Sequence, residues 1–176
     1  MPQLFFLFRD ILLLRRGPQD LPYSTQLLIA VAALCVIVQA SVALTRDTPL
    51  GAVLGGALVW LVFTLAALNL MLTMRGLRPR FVQAATALLG CTLVFTVLSV
   101  PIVLLAGEQP AAPEQMSALQ ILLGLVSLPL LIWKIVVDAH VFRQSLNLPF
   151  AGGVLIAMLW IVAALVLGGL AGAPGA

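Results

Sequence analysis

The chain has 176 residues, 62% of them hydrophobic and 9% charged, with a net charge of +3. A soluble globular domain carries about 25% charged residues, so this chain lacks the polar surface of one and belongs with polytopic membrane proteins. The positive charge is no nucleic-acid signal, because its arginines sit between apolar segments, where they orient helices.

Residues 1–22 form an N-terminal segment outside the spans. Met1–Arg16 (MPQLFFLFRDILLLRR) is a poor signal peptide: Arg9 and Asp10 interrupt the apolar run, and no small-x-small site follows. The pattern predicts a short amphipathic helix. It either lies in the bilayer interface, with Arg15 and Arg16 reaching lipid phosphates, or packs on the protein's own helices. Gly17-Pro18 and Leu21-Pro22 end it.

A transmembrane domain over 23–172 follows, with spans expected near 25–44, 49–74, 81–106, 117–141 and 149–170. Each has the roughly 20 apolar residues that cross a hydrocarbon core of about 30 Å. Ser24 or Thr25 caps the first span. Thr45–Pro49 is a tight turn, with Asp47 or Thr48 as the next cap. Gly51 and Gly55 give the second span G-x-x-x-G spacing, and Gly152-Gly153 give the fifth a small face, so all four are candidate helix-packing positions. Asn69, deep in the second span, is expected to hydrogen-bond to a neighbouring helix or to line a ligand site.

Arg75, Arg78 and Arg80 lie within one six-residue loop, a signal for the cytoplasmic side and a candidate contact for anionic lipid or a partner. Pro101 and Pro129 remove backbone donors inside the third and fourth spans. Gly107–Met116 is the longest connection, and residues 173–176 form a short outer tail. Arg9, Arg15, Arg16, Arg75, Arg78, Arg80, Lys134 and Arg143 fall on one side and Arg46 on the other. Eight against one predicts a cytoplasmic N-terminus and an outer C-terminus, and the compactness and topology point to a bacterial inner membrane.

Chemistry is sparse. One histidine excludes bis-histidine haem and histidine metal clusters. No phosphate-cradling glycine loop, serine-nucleophile motif or pair of intramembrane aspartates is present, so the expectation is a non-enzyme with no cofactor and no metal. Cys35 and Cys91 lie in apolar runs and are expected to be small buried residues. The informative stretch is Trp133–Arg143 (WKIVVDAHVFR). Lys134 and Asp138, four apart, share a helix face, with His140 close by. Functionally they form a candidate ligand or proton site. Structurally, Lys134 would snorkel to the interface, Asp138 would neutralise it, and His140 would sit at headgroup level beside a polar turn at Arg143–Asn147.

Arg78–Gly90 (RPRFVQAATALLG) and Trp133–Leu146 (WKIVVDAHVFRQSL), in a five-span chain, resemble the Yip-domain family of small multi-pass membrane proteins over roughly residues 20–170. The resemblance implies a compact helical membrane protein. The acidic Asp-Leu-Tyr-type motif and the long soluble N-terminal region of eukaryotic members are absent from this sequence. Rab-GTPase binding and vesicle trafficking are therefore not implied. The expected role is a membrane scaffold or accessory subunit that binds another membrane protein or a second copy. The alternative is a small transporter or lipid-handling protein using the kinked fourth span with Lys134 and Asp138.

Overall fold

A computed structural model describes residues 2–44, 49–107 and 116–172. The turn expected at Thr45–Pro49, apart from Pro49, most of the Gly107–Met116 connection and the tail lie outside the described residues. Among those described, the chain is all-α, with helices α1 (Pro2–Leu12), α2 (Thr25–Leu44), α3 (Leu50–Met74), α4 (Phe81–Ala106), α5 (Ala118–Leu146) and α6 (Phe150–Gly172). The last five are long and apolar enough to cross a membrane, which is the pattern of a multi-pass membrane protein.

Helix α4 is the centre. Ala84, Ala85, Ala87 and Cys91 are fully buried, and Leu88 and Leu89 almost so. Small side chains at these positions let neighbouring backbones come close, which drives helix association where lipid removes the hydrophobic incentive. α2 lies along α4, with Val31 and Cys35 packed against Leu89. The Cys35 thiol donates to the Leu89 carbonyl at 3.5 Å. On another side α4 meets α5, which in turn makes the most extensive helix contact in the molecule, with α6. At Gly90 the ring of Phe8 from α1 occupies the space a Cβ would need.

The N-terminal segment therefore packs on the bundle by one face. Ile11, Leu12 and Leu21 are buried, and Leu7 and Phe8 pack against the same core. Phe5, Phe6 and Leu13 remain exposed on the other face. Ser24, not Thr25, caps α2: its hydroxyl accepts from the Leu27 amide at 3.2 Å.

Helix α5 runs five residues past the expected end. The turn expected at Arg143–Asn147 is helical through Leu146, and Asn147 closes it in the left-handed region at φ 51°. The helix continues because two arginines from the loop after α3 satisfy its last carbonyls. Arg75 donates to Leu146 O at 3.3 Å, and Arg80 donates to Gln144 O at 3.4 Å and to Asn147 Oδ1 at 2.9 Å. At the other end Ser117 and Gln120 form a capping box, and the Gln120 amide also donates to Ala106 O at 3.1 Å, tying α4 to α5.

Burial is concentrated at the arginine-rich end. An aromatic cluster marks its limit: Trp160 of α6 sits 5.2 Å from Phe63 of α3, 5.2 Å from Phe142 of α5 and 5.8 Å from Trp60 of α3. Trp60 and Trp160 are thus packing residues rather than interface anchors. From Ala118 to Trp133, α5 has no buried residue.

Of the four glycines expected to mediate packing, one meets another helix of this chain at close range. A Cβ at Gly153 would stand 2.5 Å from the Ala139 carbonyl oxygen and 3.0 Å from Arg143 Cβ, so α5 and α6 cross there. Gly152 meets only ordinary contacts, and Gly51 and Gly55 meet nothing within 4 Å. The G-x-x-x-G face of α3 points away from the bundle, contrary to the intramolecular use expected of it. Alanine in place of a helical glycine gains about 1 kcal/mol of propensity. Overpacking against a backbone carbonyl costs about 1–3 kcal/mol. Gly153→Ala should therefore lower the midpoint of thermal unfolding in detergent, whereas Gly55→Ala should leave it unchanged or raise it.

Candidate functional site

The one buried ion pair among the described residues lies where α5 faces α4. Lys134 Nζ sits 2.5 Å from Asp138 Oδ2, one helical turn away. Asp138 is fully buried, and the Lys134 side chain is 25% exposed. The ammonium also stands 5.9 Å from the centre of the Phe95 ring of α4, which stacks edge-on against Trp133 at 5.1 Å.

Asp138 neutralises Lys134 inside the helix, not at its last turn. With α5 running to Leu146, Asp138 lies two turns inside the helix rather than at its mouth. His140 is buried, at 7% exposed. Its Nε2–H donates to the carbonyl of Arg16 at 2.9 Å; a carbonyl only accepts, so that nitrogen carries a proton. Seven residues earlier on the same helix face, the Trp133 indole donates to the carbonyl of Leu12 at 3.1 Å. Leu12 and Arg16 bracket the turn where α1 ends, and Leu14 within it has φ 60°. Trp133 and His140 thus fasten the N-terminal segment to the stretch of α5 that carries Lys134 and Asp138. Gln83 of α4 extends the fastening, donating to Leu21 O at 2.6 Å and Gln19 O at 3.2 Å. No local signal marks Trp133 or Gln83 for this role, because their partners are more than 60 residues away.

The pair is incompletely satisfied. Asp138 Oδ1 is buried and accepts no hydrogen bond, and the same holds for the hydroxyls of Thr64 and Ser145. The carboxylate therefore has a free acceptor in a dry setting, beside an ammonium with donors to spare. Such a pair can hold a proton or orient a polar group. It offers no nucleophile. Among the described residues, no group of three His, Cys, Asp or Glu side chains could hold a metal. Cys35 and Cys91 are free and buried, on different helices.

The remaining candidates divide. Arg75 and Arg80 cap α5, and Arg16 reaches Asp10 at 3.5 Å, with Arg9 on the same carboxylate at 2.9 Å. Arg15 and Arg78 form no ion pair among the described residues, since those pairs fall on Asp10 and Asp138. Asn69 does not bridge two helices. It lines an open groove with Tyr23 and Arg78.

Removing one partner of a buried ion pair costs about 3–5 kcal/mol, because the other is left uncompensated. Lys134→Met should therefore destabilise strongly in a thermal unfolding assay, and adding Asp138→Leu should recover most of the loss. Separately, His140→Ala with Trp133→Phe should release the N-terminal segment. Limited trypsin digestion should then cut at Arg15 or Arg16 several-fold faster than in the parent protein, with the bundle left intact.

No family model matches the chain, and no curated protein or solved structure matches it.

Proposed function

We propose that this protein is a non-enzymatic membrane scaffold or accessory subunit whose open half receives a helix of another membrane protein or of a second copy. The observation that carries this reading is the open groove between α4 and α5 over Ala118–Trp133, where no residue of α5 is buried. Leu119, Ile121, Leu122, Leu125, Val126 and Leu128 are each about half exposed or more. At 100° per residue these positions spread over one half of the helix, while the other half, with Leu123 and Ser127, turns to α4 without being buried there. A groove of about 560 Å³ runs between this half of α5 and α4, floored by Gly124, Ser127 and Ser99. Small residues of this kind are where a further helix packs closely. The outward G-x-x-x-G face at Gly51 and Gly55 supports the same reading.

We also propose that the arginine-rich end faces the cytoplasm across a bacterial inner membrane, as in the Yip-like arrangement suggested by the sequence. The eight-to-one distribution of basic residues supports this orientation. One observation favours a second reading, a small transporter: the free, buried Asp138 Oδ1.

Extraction into native-lipid nanodiscs followed by mass determination of the intact particle tests both. The scaffold reading expects a stoichiometric second chain, lost in Gly124→Leu or Gly55→Leu and kept in Asp138→Asn. A single chain carrying a small molecule that Asp138→Asn releases would overturn it in favour of transport.

A further inference from the structure

We infer that the groove between α3 and the start of α4 is a binding site for one anionic phospholipid, with Arg78 on the phosphate. The groove holds about 830 Å³ and lies open at the surface. Arg78, Asn69 and Tyr23 supply its polar groups, and Val62, Leu65 and Ala66 line its apolar wall. Their order along the bundle matches the order of groups in a phospholipid. Arg78 belongs to the loop beyond the end of α3. Asn69 lies five residues before that end, about 7–8 Å deeper at the helical rise. Val62 lies about 10 Å deeper again.

A lipid lying in this groove meets a cation at its phosphate, an amide at its ester linkages and hydrocarbon along its chains. Asn69 is the second, independent indication. An amide in the membrane-facing part of a helix demands hydrogen-bond partners. Among the described residues it has none on another helix, and it is turned into this groove. Ester carbonyls would accept from it. Arg78 differs from its neighbours Arg75 and Arg80 in the same way: they are committed to the end of α5, while Arg78 meets no carboxylate. The occupant is a bilayer lipid rather than free phosphate, because the apolar wall would otherwise lie against water at the headgroup boundary. The inference is independent of whether the protein is a scaffold or a transporter.

The test is native mass spectrometry of the full chain in detergent, titrated with phosphatidylglycerol or phosphatidylcholine. The parent protein should retain one phosphatidylglycerol with about fivefold preference, the size of one basic residue's attraction to an anionic lipid. Arg78→Gln should abolish the preference, and Ala66→Phe, which fills the groove without changing charge, should reduce retention of both lipids. Arg15→Gln, an exposed cation on the N-terminal segment, should change neither. Equal retention of the two lipids by the parent protein would overturn the site. So would an equal loss from Arg15→Gln and Arg78→Gln, or undiminished retention by Ala66→Phe with an unaltered unfolding midpoint.

Discussion

The structure depends on how closely other segments approach α4 between Val82 and Phe95. Every residue from Ala84 to Cys91 is buried there, and the run is mostly alanine, glycine and cysteine. In lipid, two helices gain little by hiding apolar surface from each other, since the solvent is equally apolar. What remains is dispersion over short distances, and short distances need small side chains. The α4 run provides them on several sides at once. α2 and α5 pack on separate sides, and Phe8 of α1 seats at Gly90.

Close approach then makes polar fastening worthwhile. Helix ends expose carbonyls that must find donors wherever water is scarce. At the arginine-rich end these donors come from far along the chain: Arg75 and Arg80 for the end of α5, Gln83 for the strand of chain before α2, Trp133 and His140 for the end of α1. Several residues that look like surface polarity are thereby turned inward. The consequence for chemistry is that Asp138, which would be an interfacial group on a shorter helix, sits in a dry core against Lys134 with one oxygen unmet.

The opposite end is built on a different principle. Beyond the aromatic cluster around Trp160, contacts thin out and α5 stands nearly free apart from its capping-box tie to α4. A rigid end and an open end in one bundle give the molecule a fixed platform and an uncommitted apolar surface.

The number and approximate limits of the five long helices followed from the sequence alone, because an uninterrupted apolar run of about 20 residues has one way of satisfying its backbone in lipid. The pairing of Lys134 with Asp138 followed too, since helix geometry puts residues four apart side by side. Tertiary structure decided the rest. Arg143–Leu146 looked like a turn because nothing local satisfies its carbonyls; arginines 71 and 64 residues away do. Gly51, Gly55 and Gly153 are equivalent as letters, yet only Gly153 meets another backbone, because which face of a uniformly apolar helix turns inward is set by its neighbours. His140 and Trp133 became fasteners of the N-terminal segment for the same reason. Local sequence fixes what a residue can donate or accept, but only the packed bundle fixes which distant carbonyl lies within hydrogen-bonding reach of it.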